Sequence, residues 1–278
     1  MKITHLALIS IILFSCSREK KSDLTEENIK GNVKSITTTS FYGVEKFGEI
    51  QKGALQYKWN IQYDMNGNKT ERNNYRFSSL IEDDKYKYIY DNNGNEIEMN
   101  HYLSDGSLDY KYKYEYDNDG NKTVLSYYLS NGSLSSKSTF KYDKNGNEIE
   151  QISESMGMLV DSEPSKWISK YNKNGNKTEV NFQNSFLSIE SKTTYKYDNN
   201  GNEIEKSVYD SDGSLQHKET SKYDNDRHQI GYDYYGSDGS LKLSKVFSYK
   251  YDSRTNWIEQ ITVGTDNTVT EREIEYYD

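Results

Sequence analysis

The chain is poor in the residues that build most sites and most cores. Among 278 residues there are one proline, one cysteine and four histidines. A single cysteine excludes an internal disulfide and a cysteine-rich metal centre. His5 lies at the extreme N-terminus, and His101, His217 and His228 are far apart. No nucleophile–base pair is enforced by such spacing. The HExxH, GxSxG and phosphate-loop patterns are absent. The expectation is a protein without cofactor, without metal and without catalytic residues, not an enzyme. Apolar residues make up only 33%, against roughly 45–50% in ordinary globular chains, too few for a thick core. Basic excess is lacking as well. The net charge is −9 and the lysines are dispersed between tyrosines, which argues against nucleic acid as a partner. Long apolar runs are missing apart from one, Leu6 to Phe14, of nine residues. As a helix it would extend about 14 Å, short of a bilayer core of about 30 Å.

That run has a place. MKITHLALISIILFSC carries Lys2 and then a short apolar stretch, the layout of a secretory signal. Leu13-Phe14-Ser15-Cys16 resembles a bacterial lipobox, with Phe14 where a smaller residue is usual. The resemblance implies a signal peptide over 1–15 and acylation of Cys16. It implies membrane attachment through lipid, each buried CH₂ contributing about 0.8 kcal/mol. Residues 17–30, SREKKSDLTEENIK, are charged and nearly free of apolar side chains. With Cys16 they read as a solvated tether over 16–30.

What the chain has in abundance is tyrosine, 27 of them, and repetition. Tyr-Asp pairs, once Tyr-Asn, begin at 63, 90, 116, 142, 171, 197, 223, 251 and 277. The gaps are 27, 26, 26, 29, 26, 26, 28 and 26. A second signal, SDGSL or SNGSL, interleaves at Ser104, Ser130, Ser211 and Ser237. Asn-Gly and Asp-Gly favour a two-residue type I′ hairpin loop. With Asn93-Gly94 as that loop, Tyr90 pairs with Ile97, Tyr88 with Met99 and Tyr86 with His101. Asp91 with Glu96 and Ile89 with Glu98 take the other face. Trp167 meets Phe182 in the same way. Leu55, Tyr57, Trp59, Ile61 and Tyr63 alternate with polar residues. Period-2 patterning excludes helix and predicts half-buried strands.

The predicted fold is all-β. Tandem hairpins of about 26 residues form a long, twisted, curling antiparallel meander of on the order of 17 strands, because open sheets curl beyond about ten. Residues 31–54 read as N-terminal cap strands and 55–278 as the repeat domain. The pattern breaks at Met156 to Lys166, around Pro164, and after Tyr223, where Asp226-Arg227 and Arg254-Thr255 replace the glycine turn. Glu273 and Glu275 are expected to face inward and protect an edge.

Tyr-Asp-x-x-Gly-Asn resembles the YD repeat of the Rhs family over roughly residues 55–278. The resemblance implies a spiralling antiparallel sheet and an envelope setting. The family's C-terminal core and toxin domain are missing. The combination with a lipobox also resembles lipoproteins of Bacteroidetes. The expected function is a lipid-anchored scaffold or binding surface in the bacterial envelope, at the outer membrane. Carbohydrate or another envelope protein is the expected partner. Alternatives are an enzyme acting on polysaccharide, or a toxin-associated or immunity factor by analogy with Rhs systems. Asp-Asn-Asn-Gly-Asn-Glu offers calcium-type oxygens, but Gly94 falls two places early for an EF-hand. Most tyrosines read as core. Tyr102, Tyr128 and Tyr209 fall on the polar face and are the candidate interaction surface. The charged second face argues against a membrane-spanning barrel.

Overall fold

The computed structural model describes residues 22–75, 82–156, 163–184 and 188–278. The expected signal peptide and Cys16 lie outside the described residues, as does most of the loop before Pro164. One short helix, α1 (Asp23–Glu26), precedes the strands. These are β1 (Val33–Lys46), β2 (Glu49–Tyr63), β3 (Lys69–Tyr75), β4 (Glu82–Tyr90), β5 (Glu96–Leu103), β6 (Leu108–Tyr116), β7 (Lys122–Leu129), β8 (Leu134–Tyr142) and β9 (Glu148–Ser155). There follow β10 (Ser165–Tyr171), β11 (Lys177–Asn184), β12 (Ile189–Tyr197), β13 (Glu203–Asp210), β14 (Leu215–Tyr223), β15 (Gln229–Gly236), β16 (Leu241–Tyr251), β17 (Trp257–Val263) and β18 (Thr268–Tyr276).

Every strand pairs antiparallel with its neighbours in sequence, and β1 also pairs β18. The meander is therefore a closed barrel, not an open curling sheet. Closure removes both edges and their unpaired backbone groups. Residues 31–54 do not cap a sheet. They supply β1 and the start of β2, the hairpin that joins the last strand to the first. Glu273 and Glu275 point outward, and Glu275 pairs with Lys34 at 2.7 Å. Arg272, Ile274 and Tyr276 take the inward positions, so the inner tyrosine of the last repeat precedes the Tyr-Asp pair by one residue. With no edge to protect, an inward charge has no such role here.

The tyrosine face lines the interior. Along β16, Leu243, Lys245, Phe247 and Tyr249 are half-buried, while Ser244, Val246, Ser248 and Lys250 are exposed. Inside a closed barrel side chains converge and screen one another; outside they splay. Lys141, Lys170, Lys196 and Lys250, all on the convex face, are 64–71% exposed.

The hairpin loops differ from the type I′ expectation. Gly94 N–H donates to the Asp91 carbonyl and Asp91 N–H to the Asn95 carbonyl. Of the loop residues only Gly94 has positive φ, +78°. This is a three-residue loop, a type I turn closed by a G1 bulge. The aspartate selects it. Asp91 Oδ1 accepts from the Asn93 and Asn95 backbone N–H groups, and Oδ2 from the Asn95 amide. The bulge shifts the register, so Tyr90 faces Glu96 rather than Ile97. Beyond it the expected pairs hold: Tyr88 with Met99, Tyr86 with His101, Ile89 with Glu98, and Trp167 with Phe182. The same backbone survives where glycine is lost. Arg227 and Thr255 adopt φ of +70° and +66°, with the same loop hydrogen bonds. Among the described strand-to-strand loops, Phe47-Gly48 has two successive positive-φ residues.

Four YD tyrosines tie their repeat to the one before. The hydroxyls of Tyr116, Tyr142, Tyr171 and Tyr197 donate to the carbonyls of Glu96, Lys122, Glu148 and Lys177 at 2.7–2.8 Å. Each acceptor begins the strand after the preceding YD loop. Residues 22–30 depart from the solvated tether expected of them. Leu24 is 6% exposed and packs with Val33, Ile36 and Tyr63.

Candidate functional site

Two surfaces carry the chemistry, one on each face of the wall. The first is convex, near the SDGSL loops. Tyr102, Tyr128, Tyr209 and Tyr235 stand opposite Leu108, Leu134, Leu215 and Leu241. From the preceding strand a lysine reaches over each ring. Lys87 lies 5.9 Å from the Tyr102 centroid, Lys111 5.8 Å from Tyr128, Lys192 5.3 Å from Tyr209 and Lys218 4.7 Å from Tyr235. The three tyrosines singled out by the sequence are thus half-buried, each with one face taken by an ammonium. Tyr235 completes the set. The signal for it was in the sequence, since it too stands two residues before a Ser-Asp-Gly loop. Leu103 and Leu129 add apolar area beside the rows at 44% and 39% exposure.

The second surface is the concave mouth at the YD loops, which the sequence reading missed. The bulge turns the residue six places after each of the first six YD tyrosines toward the interior. Those residues are Lys69, Glu96, Lys122, Glu148, Lys177 and Glu203, alternating in sign. The signal was legible as the alternation of Gly-Asn-Lys with Gly-Asn-Glu. It was hidden by the two-residue loop, which sends this position outward. Burial pushes the Glu96 carboxyl up, although the Tyr114 hydroxyl hydrogen-bonds to it and opposes the rise. Burial also pushes the Tyr88 hydroxyl up to about 12. Lys122 lies 5.5 Å from the Tyr114 ring and 5.1 Å from Phe140.

On the same concave wall, a ladder of rings and cations runs from strand to strand around the barrel. Arg72 stacks between Trp59 and Tyr86, at 5.3 and 5.8 Å. His101 sits between Tyr86 and Tyr110, at 4.6 and 4.5 Å. Its Nε2 is 3.2 Å from Asp84 and its Nδ1 3.1 Å from Asp109. His217 and His228 lie elsewhere, beside Glu219 and Asp224. At the seam Arg272 stacks 3.6 Å over Trp257, and burial lowers its guanidinium to about 10.

No family model matches the chain, and no curated protein sequence does. Solved structures resemble it at low identity. A porin-like protein from Bacteroides uniformis is 10% identical with a TM-score of 0.44, over 87% of this chain and 96% of that one. A porin-like protein from Bacteroides vulgatus is 13% identical with a TM-score of 0.42, over 69% and 94%. TcdB2-TccC3 is 13% identical with a TM-score of 0.38 over 87% of this chain. The chain spans only 14% of the length of TcdB2-TccC3. At these scores the function has to be argued from the residues themselves.

Proposed function

We propose that the protein is a non-enzymatic binding or scaffolding barrel of the bacterial envelope, held to the outer membrane by lipid on Cys16. One observation carries the reading: four Lys–Tyr–Leu rows recur in register on the convex face, which elsewhere carries charged and polar side chains with single aliphatics such as Ile89, Ile168 and Val246 among them. Tyrosine on a convex, solvated face adds little to a core. It supplies a rigid amphipathic contact with low ordering cost, the usual anchor of a protein interface. The lysine stem covers one ring face and keeps its charge in water. The partner is another envelope protein or a surface glycan. Lys–Glu pairs across the convex face, such as Lys141–Glu150 and Lys170–Glu179, support anchoring by lipid over spanning the bilayer, whose core demands an apolar band.

Replacing Tyr102, Tyr128, Tyr209 and Tyr235 together by serine tests this. Crosslinking on intact cells and glycan-array binding of the unaltered protein are compared with the variant. Loss of a specific partner with an unchanged β spectrum is expected. Turnover of a polysaccharide that vanishes on one carboxylate change would sink the non-enzymatic reading. Metabolic palmitate labelling should disappear in Cys16→Ala; label that persists would refute the anchor.

A further inference from the structure

The mouth already holds a ligand of known chemistry, supplied by the chain itself. Asp23 Oδ2 accepts from the Lys69 backbone N–H at 2.7 Å and from the Tyr90 hydroxyl at 2.8 Å. Glu27 accepts from the Tyr63 hydroxyl at 3.2 Å and pairs with the Lys69 ammonium. Two carboxylates four residues apart thus occupy a cradle of Tyr63, Lys69 and Tyr90. The occupant is a single helical turn whose N-cap is Ser22.

The cradle recurs. Tyr116, Lys122 and Tyr142 follow it by 53, 53 and 52 residues, and Tyr171, Lys177 and Tyr197 follow those by 55 each. In both later copies the lysine faces the interior. Lys122 rests against Tyr114 and Phe140, and Lys177 lies 5.8 Å from the Tyr171 ring. The second tyrosine differs in one respect. Tyr142 and Tyr197 donate to the carbonyls of Lys122 and Lys177, whereas Tyr90 donates to the Asp23 carboxylate. A neutral carbonyl is the weaker acceptor, since hydrogen bonds to ionised groups are roughly twice as strong. The later copies have the arrangement that a carboxylate would displace.

We propose that the Lys122 and Lys177 cradles bind the acidic side chains of a peptide segment presented to the mouth. The segment carries two carboxylates about one helical turn apart, as Asp23 and Glu27 do. The intervening Glu96, Glu148 and Glu203 flank both cradles and disfavour a purely anionic ligand. They select a peptide that also carries a cation, as residues 22–30 do in Lys30. This site lies on the opposite wall face from the tyrosine rows and stands or falls independently of them.

The test uses the full chain and a synthetic peptide of sequence SDLTEENIK, titrated calorimetrically at low salt. A peptide with the three acids replaced by amides is the control. Two equivalents of the acidic peptide should bind, with affinity falling as salt rises. Lys122→Met and Lys177→Met should each reduce the stoichiometry from two to one, and the double variant to none. Melting curves check that each variant is folded. Absence of binding by the unaltered chain overturns the proposal. So does binding that survives the double variant, or binding that only Lys69→Met removes, which would be exchange with the chain's own segment. An oligogalacturonate that binds where the peptide does not overturns the peptide assignment.

Discussion

The two ends of the barrel reverse the chain with one backbone and two chemistries. At the YD end the residue that opens the turn is aspartate, or Asn172 in one repeat. Asp117 Oδ1 accepts from the N–H groups of Asp119 and Asn121, and Oδ2 from the Asn121 amide. At the SDGSL end that residue is Leu103, Leu129, Asp210 or Gly236. The backbone bonds are the same, Gly106 to Leu103 and Leu103 to Ser107. The side-chain support moves to the third residue, where Asp105 accepts only from the Ser107 N–H and hydroxyl. The YD end is thus stapled within each loop and then between repeats by tyrosine hydroxyls. The Leu103 and Leu129 loops are left freer and more apolar, while Asp210 still accepts from the Ser214 N–H at 2.9 Å. Geometry is shared, so it cannot be what distinguishes the ends. The YD end is the more tightly hydrogen-bonded of the two.

The sharpest challenge to this contrast is Leu24→Ala. It removes a buried anchor of the segment seated in the first cradle of the YD mouth, and should cost about 2–4 kcal/mol in urea unfolding. A loss no larger than that of a surface change would show that the segment is an ornament. Next is Asp117→Ala, which leaves two loop N–H groups without their acceptor. It should cost about 1–2 kcal/mol, and the matched Asp105→Ala should lower the urea midpoint less. Equal shifts would erase the distinction between the ends.

Thr255→Gly tests the loop geometry itself. A β-branched residue at φ +66° is strained, so glycine should raise stability by about 1 kcal/mol, despite its greater freedom when unfolded. The smallest effects depend on pH. The Asn121 amide holds the Asp117 carboxyl below its usual range. Its contribution is present above the unfolded value of about 3.9 and is lost as pH falls through the lower folded value. Glu96 is the reverse case. Its raised value means that the ionised form weakens the fold at neutral pH. Glu96→Gln should raise the melting temperature at pH 7, and the gain should vanish below about pH 4, where the acid is protonated folded or unfolded. A gain of the same size at both values would remove burial of charge as its cause.

Much of this was legible in the residues. Alternation of Tyr with Lys gave strands, the 26-residue period gave their number to within one, and Tyr88 with Met99 or Trp167 with Phe182 gave cross-strand partners. The candidates Tyr102, Tyr128 and Tyr209 fell on the convex face as read. The loop type was misread because Asn-Gly alone favours type I′. The aspartate two places earlier competes for the same N–H groups and wins with three hydrogen bonds. That one-residue difference hid the Lys/Glu alternation at the mouth, since it decides whether Glu96 or Ile97 turns inward.

By itself the sequence determined the local rules: strand period, loop positions, and which face carries tyrosine. Those depend on contacts between residues a few places apart, and the repeat writes them out many times. Only the tertiary structure decided closure, because nothing in a hairpin states where its edge will end. The pairing of β1 with β18 joins residues more than 220 apart. It forms because two open edges of a strongly curved sheet leave unpaired backbone that each can satisfy in the other. The placement of residues 22–30 was settled there too. A charged segment reads as a solvated tether until two tyrosine hydroxyls and a lysine offer its carboxylates better partners than water.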